Sequence, residues 1–440
     1  MNYRDTLDYI FQKLPMFSRM GSAAFKKDLT NIQALCDHLG NPEQKFKTIH
    51  VAGTNGKGSV SHMLAAIFQT AGYKTGLYTS PHLYDFRERI RLNGDMIPEA
   101  YVTTFVERLK PQIETIEPSF FEITVAMAMQ FFAEQQVDIA IIEVGLGGRL
   151  DSTNIITPEL SVITNIGWDH MNLLGNTLSA IAGEKAGIIK PNIPVVIGET
   201  LPETKPVFQR IAAEKNAPIY WAEDRFSIRS WKLHPFALSI ELSDQTNTIC
   251  TIQTDLPGIY QVRNVRTVLT AVGVLSERDW NLPAASVQKA LQNVRGTTGL
   301  GGRWEVIGQH PTVVLEVAHN PQGIGQMMAH LEQTLFRQLH IVIGIVKDKE
   351  ADDVLRLLPT DATYYFTQAH IPRALPSGVL AQIAATCQLK GDSYVDVNTA
   401  LQAALRKAGQ DDLILVCGSI FLVAEVDKSQ YLNSPRRASA

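Results

Sequence analysis

The chain is 440 residues long, with 45% hydrophobic and 19% charged side chains. That suits roughly two or three globular domains, each able to bury a core, and disorder is not the default reading. A formal net charge of -4 leaves no basic footprint for nucleic acid or anionic lipid, so a small-molecule substrate is favoured.

The first segment, MNYRDTLDYIFQKLP, carries charge along its length and lacks the apolar core of a signal peptide. No later run reaches the roughly 18 apolar residues of a membrane span. From residue 47 to 198 the pattern alternates. Short apolar, β-rich runs (TIHVAG, KTGLYTS, VDIAIIEVG, LSVITNI, IPVVIG) are separated by longer stretches of helical periodicity, the rhythm of a parallel sheet covered by helices. A helix over residues 60–72 carries Met63, Leu64, Ile67 and Phe68 on one face, with Gly72 as its stop. FEITVAMAMQFFAEQQ is apolar nearly all round and belongs in an interior.

Residues 224–258 change character: FSIRSW, FALSIEL and TICTIQT predict antiparallel strands, a small sheet appended to the first domain. Helices are expected over 261–276 and 284–293. RGTTGLGGR, residues 295–303, is the best linker candidate, because glycine and threonine favour no regular element. Beyond it TVVLEVA, HIVIGIV, TYYFTQA and DLILVCG read as strands of a second α/β domain, and NSPRRASA as a frayed end. Cys36, Cys250, Cys387 and Cys417 stand far apart without a CxxC pair, so a reducing, cytoplasmic setting is expected rather than a disulfide framework or zinc knuckle.

The stretch VAGTNGKGSVSHML, residues 51–64, resembles a phosphate loop with one displacement. The usual pattern puts serine or threonine directly after the lysine; here Gly58 stands between Lys57 and Ser59. A strand that ends in glycines and feeds a helix N-terminus still makes an anion site, because unpaired N–H groups and the positive end of the helix dipole face the ligand. Lys57 would bridge the β and γ phosphates. The alternative is a glycine-rich turn with an ordinary surface lysine. The displaced hydroxyl argues against common GTPases and small-molecule kinases, not against phosphate binding.

Such a loop needs Mg²⁺, whose ligands belong at the carboxyl ends of neighbouring strands. Glu143 ends VDIAIIEVG, and Asp169 with His170 follows LSVITNIGW. Each stands where a ligand should be, although a strand-end acid can equally cap the next helix and a histidine can be an ordinary surface or core group.

Together AGTNGKGS, YTSPHL, IEVGLGGRLDSTN, WDH and IAGEKAGIIKP, followed by YQVRN, GRWE, AHNP, KDK and CGSIFLV, resemble the folylpolyglutamate synthase and dihydrofolate synthase family, relatives of the Mur ligases. The resemblance runs over residues 20–425. It implies an ATP-dependent amide ligase: a pterin carboxylate attacks the γ-phosphate to give an acyl phosphate, and the amine of L-glutamate displaces phosphate. Enzymes of this kind mainly position two anions in line and neutralise their charge.

By the same resemblance, Thr54, Asn55, Gly56, Lys57, Gly58 and Ser59 hold the ATP phosphates, and Ser80, Glu143 and His170 bind Mg²⁺. Lys185 matches the lysine that the family carbamylates, a change from cation to anion that can orient a second metal ion. Without the resemblance Lys190 would be its equal. Asn264, Arg303 and Glu316 would meet ATP from the interdomain side; family members usually carry aspartate where Glu316 stands. His319 and Ser419 would lie near the incoming glutamate, with loop structuring as the alternative for both. Ser119, Phe120, Phe121 and Glu122, with Leu150, Asp151 and Ser152, match the dihydropteroate-contacting segments. One of the two phenylalanines could stack on the pterin, with core packing as the competing explanation. Residues 21–27 are expected to close over this site.

The resulting expectation is an α/β protein: a P-loop, Mur-ligase-like central domain with a small appended β-sheet over residues 1–297, then a C-terminal Rossmann-like α/β domain over 298–440, with catalysis between them. It would act as a monomer on dihydropteroate and reduced folates, with ATP, Mg²⁺ and L-glutamate. A monofunctional folylpolyglutamate synthase, another Mur-type ligase and a non-catalytic nucleotide-binding protein are the rival readings.

Overall fold

The computed structural model describes residues 1–16, 28–347 and 351–432. Residues 21–27, most of the KDK motif and the NSPRRASA tail lie outside the described residues. The chain divides into two compact units, Met1–Leu300 and Gly301–Ala440.

In the first unit, β1 (Lys47–Ala52), β2 (Thr75–Tyr78), β3 (Ile90–Leu92), β4 (Asp95–Met96), β5 (Ile139–Glu143), β6 (Leu160–Ile163), β7 (Val195–Ile197) and β8 (Ile219–Trp221) form one sheet. Their order is β4-β3-β2-β5-β1-β6-β7-β8. The run from β2 to β8 is parallel, and β3 and β4 add an antiparallel edge that the sequence reading did not contain. Both faces are covered. Ile139 and Ile141 of β5 face one core cluster while Ala140 and Ile142 face another, which is why the parallel strands read as unbroken apolar runs.

The helix after β1 spans Lys57–Thr70 rather than 60–72 and is buried all round, with Ser59, Ser61 and His62 inside as well as the expected apolar face. The expectation of a one-sided helix fails because the helices Gln261–Ser276 and Ala284–Leu291 pack on its outer side. Gly72, at φ +94, follows its end as expected. The helix Phe120–Glu134 is interior, as its apolar composition requires.

Strands β9 (Phe226–His234), β10 (Ala237–Asp244) and β11 (Ile249–Thr254) form the separate antiparallel sheet expected there. Leu238, Ile240 and Leu242 alternate along β10 into the core that holds the helix Lys57–Thr70. At roughly 1.5–3 kcal/mol per buried side chain, that row is enough to fix the small sheet to the first unit.

The boundary between the units falls inside the expected linker, residues 295–303, but its first part is not irregular. Val294–Thr298 is a short helix ended by Gly299 at φ +72, and the units part after Leu300. Its first amides, on Val294 and Arg295, donate to the Asp255 carboxylate at 3.1 and 2.9 Å. A cap supplied from 40 residues away leaves no local trace in the sequence.

The second unit carries β12 (Glu305–Gly308), β13 (Thr312–Leu315), β14 (Leu339–Ile343), β15 (Thr363–Phe366), β16 (Gly391–Ser393) and β17 (Leu413–Cys417). Their order is β12-β13-β17-β14-β15-β16, parallel except for β12. Among the described residues, no helix is long and apolar enough to cross a membrane.

Candidate active site

In the first sheet β1 lies between β5 and β6, so the chain leaves three adjacent strands at one edge. This is the crevice where open α/β sheets hold ligands. The loop Gly53 to Gly56 leaves β1 there, Glu143 ends β5, and Thr164 to His170 follow β6.

The loop is stapled to the segment after β6. The Thr54 and Asn55 amides donate to the Asn165 carbonyl and Oδ1 at 3.0 and 2.9 Å. Thr164 Oγ1 donates to the Asn55 carbonyl at 2.6 Å, and the Gly167 amide to Thr54 Oγ1 at 2.9 Å. Thr164 and Asn165 are the site residues that sequence reading missed. They sit in ITNIGWDH, which drew attention only to Asp169 and His170.

Gly56 caps the helix Lys57–Thr70 at φ +84, and a Cβ on it would fall 2.4 Å from Asn264 Oδ1. Asn264, predicted to meet ATP, therefore sits against the loop. Its Nδ2 donates to Gln261 Oε1 at 2.7 Å, and Gln261 Nε2 donates to Ser59 Oγ at 3.1 Å. Both the positive φ and the close approach require glycine. Gly56→Ala is expected to lower stability by about 1–3 kcal/mol and to weaken nucleotide binding. Thermal unfolding and nucleotide titration check it; a parental Tm would remove the steric account.

Two lysines meet at one carbonyl. Lys57 Nζ donates to the Gly53 and Thr54 carbonyls at 3.0 and 3.1 Å, and Lys185 Nζ donates to the same Gly53 carbonyl at 2.9 Å. Lys185 is 4% exposed. Burial, and then the positive charge of Lys57, pull its pKa down to about 7, against opposing pulls from Asp169 and Asp151. A lysine so placed holds a substantial neutral fraction near neutral pH. Lys190, which the sequence could not separate from it, instead donates to the Asn154 carbonyl at 2.8 Å.

Of the predicted metal ligands, Ser80 and Glu143 are brought together: the Ser80 amide donates to Glu143 Oε2 at 3.2 Å, and Glu143 is 4% exposed. His170 stands at φ +51, with Nε2 3.8 Å from Asp169 Oδ1. Among the described residues no three His, Cys, Asp or Glu side chains converge as a metal cage. Mg²⁺ held by one carboxylate and phosphate oxygens needs no such cage.

The pterin segments divide by role. Ser119 and Glu122 form a reciprocal capping box, Ser119 Oγ accepting from the Glu122 amide at 3.2 Å and Glu122 Oε2 from the Ser119 amide at 2.7 Å. The pair expected to contact substrate thus also starts the helix. Phe120 is packed against Phe11 and Phe86, whereas Phe121 is half-buried, which leaves Phe121 as the ring able to stack on a ligand. Asp151 is buried and accepts from the Leu146 and Thr153 amides at 2.8 and 3.0 Å, shaping the loop that carries half-buried Leu150 and Ser152.

In the second unit, Glu316 follows β13 and Ser419 follows β17, again at carboxyl ends of parallel strands. Glu316 is buried, with Oε2 accepting from the Trp304 amide at 2.9 Å, beside predicted Arg303. The Val317 carbonyl, 2.9 Å from His319 Nδ1, can only accept. Nδ1 is therefore the donor of that bond, which fixes the orientation of the ring. Ser419 caps the helix Ile420–Ala424 through the Phe421 amide, so its loop-structuring role is realised.

Comparison with known families matches the Mur ligase middle domain to residues 51–272 and the Mur ligase glutamate ligase domain to residues 302–420. The folylpolyglutamate synthase of Lacticaseibacillus casei is 35% identical, over 97% of this chain and 98% of its own. The dihydrofolate synthase/folylpolyglutamate synthase of Bacillus subtilis is 33% identical, with coverage of 97% and 98%. Among solved structures, E. coli FolC in complex with DHPP and ADP superposes with a TM-score of 0.82 at 28% identity, covering 96% of each chain. The Mycobacterium tuberculosis folylpolyglutamate synthase complexed with ADP gives 0.86 at 29% identity, covering 99% of each.

Proposed function

This chain belongs to the Mur ligase family, in its folylpolyglutamate synthase/dihydrofolate synthase branch of ATP-dependent ligases, and we propose that it joins L-glutamate both to dihydropteroate and to reduced folates. The carboxylate of the pterin attacks the γ-phosphorus of ATP, the bond from that phosphorus to the β–γ bridging oxygen breaks, and ADP leaves. The glutamate amine then attacks the acyl carbon, loses a proton, and expels phosphate through a tetrahedral intermediate. The observation that carries this reading is the loop from Gly53 to Ser59 at the carboxyl edge of β1, with Glu143 beside it on β5 and a buried lysine beneath it.

Each step needs anions brought together rather than a nucleophilic side chain. Amides of the loop and Lys57 would hold the phosphates. Asn264, Arg303 and Glu316 would hold the rest of the nucleotide, and Phe121 with the segment around Leu150, Asp151 and Ser152 the pterin. His319 and Ser419 would lie near the incoming glutamate and help seat it. The buried carboxylate of Glu143, beside Ser80, suits a hard divalent cation, with His170 as a further ligand. Mg²⁺ held there would supply charge neutralisation at the transferring phosphoryl group. Carbamylation of Lys185 would convert the buried amine into an anion facing the same loop.

The experiment supplies purified protein with ATP, Mg²⁺ and glutamate, then one pterin at a time, and measures ADP. Release is expected with dihydropteroate and with tetrahydrofolate. Release with tetrahydrofolate alone would make the enzyme a monofunctional folylpolyglutamate synthase, and turnover only on a UDP-linked substrate would move it to another Mur-type reaction. Size-exclusion chromatography is expected to give a monomer.

A further inference from the structure

Arg89 closes the short helical turn Phe86–Arg89, held by a capping box in which Asp85 and Glu88 act reciprocally. Its side chain is more than nine-tenths buried, at 7% residue exposure, yet among the described residues it forms no ion pair. Arg87, two residues earlier, takes the nearby carboxylate of Asp85, at 2.7 Å. A buried guanidinium without a counter-ion is costly unless an anion arrives.

The neighbours of Arg89 do not supply one. Its Nε donates to His82 Nδ1 at 2.8 Å, so the His82 proton sits on Nε2 and that ring is neutral; burial and the charge of Arg89 hold the His82 pKa down, to about 3. The guanidinium carbon lies 5.1 Å from the Phe120 ring centre, a cation–π contact. Arg89 also donates to the Tyr78 hydroxyl, and the Glu143 and Glu88 carboxylates act on it electrostatically from beyond ion-pair distance. Nε is thus occupied by His82, and the neutral partners Tyr78 and His82 leave the charge of the planar fork, the geometry that matches a carboxylate, without a carboxylate of its own. That fork belongs to a group set between the pterin segment, at Phe120, and the metal-ligand candidate, at Glu143.

We propose that Arg89 binds the reacting carboxylate of the pterin substrate, as the anchor that orients it toward the γ-phosphate. This rests on the pterin-ligase reading and deepens it. His82 is then a positioning residue, fixing the fork through Nε. The fork selects a planar monoanion with two oxygens, so a neutral carboxamide of the same shape is rejected.

The test titrates dihydropteroate, and separately its carboxamide, into the full-length protein, and compares the two affinities within each variant. The parent is expected to prefer the carboxylate by about 30-fold or more. In Arg89→Met the preference should fall to near unity while affinity for a non-hydrolysable ATP analogue is retained. Arg89→Lys keeps the charge and the ring contact without the fork; it should fall between the two and serves if the methionine variant does not fold. Because the readout is a ratio within one protein, a general loss of packing does not imitate it. An Arg89→Met protein that keeps the full preference overturns the inference, as does one that loses nucleotide affinity instead, which would make Arg89 a phosphate ligand. A parent that binds neither dihydropteroate nor tetrahydrofolate overturns the pterin reading, and this inference with it.

Discussion

Lys57→Ala is expected to lower kcat/KM for ligation by about 10²–10³-fold, with cooperative unfolding at the parental temperature. The side chain is half-buried, and its amine donates to the Gly53 and Thr54 carbonyls of the loop. Removing it deletes no core packing. Those carbonyls can turn to water, whereas the charge developing on the transferring phosphoryl group has no replacement cation at that position. Coupled assay of ADP release, with circular dichroism as the fold control, checks the result. Unaltered ligation would count against the phosphate-loop assignment. A protein that binds ATP tightly but releases no ADP with any pterin and glutamate would instead be the nucleotide-binding switch.

The βα rhythm and the phosphate loop were legible because their signals are local: alternation of apolar runs, glycines after a strand, and helical periodicity behind them. The helix Gln261–Ser276 and the three strands of the small sheet were likewise readable from period alone. What escaped depends on distant partners. Asn165 shapes the loop from 110 residues away, and Asp255 caps a short helix over the first residues of the expected linker. The capping box at Ser119 and Glu122 has a spacing that is itself a local helix-start signature, so this structural role could be read beside the substrate contacts that the resemblance implies.

Lys185 and Lys190 could not be told apart in IAGEKAGIIKP, because periodicity says which face a side chain takes but not which carbonyl it meets. Burial against Gly53 separates them. Arg89 is a similar case: RERIR reads as an ordinary charged run, and only the burial and the missing counter-ion single out its middle arginine.

Carbamylation of Lys185 should consequently depend on both pH and carbon dioxide. The neutral amine attacks CO₂, forming the N–C bond and releasing one proton, so the reactive fraction follows the lysine's own titration. With the pKa pulled down to about 7, half of the amine is neutral at that pH. One unit lower the neutral fraction is about a tenth, while raising the pH above 7 gains at most about twofold. An ordinary lysine would be almost wholly protonated throughout this range. Ligation in CO₂-depleted buffer is therefore expected to fall, to recover on adding bicarbonate, and to recover less at pH 6 than at pH 8. Labelled carbon dioxide should give a carbamate carbon signal that Lys185→Ala abolishes, together with a loss of about 10²–10³-fold in activity. Lys185→Glu, which brings its own carboxylate, should be indifferent to CO₂. Lys57→Ala provides the internal check: deleting the like charge that shares the Gly53 carbonyl should raise the Lys185 pKa and shift the carbamate signal to higher pH. A bare amine at Lys185 in a crystal grown with bicarbonate, or a carbamate signal unmoved by Lys57→Ala, would separate the buried lysine from this chemistry and leave it as a structural clasp on the phosphate loop.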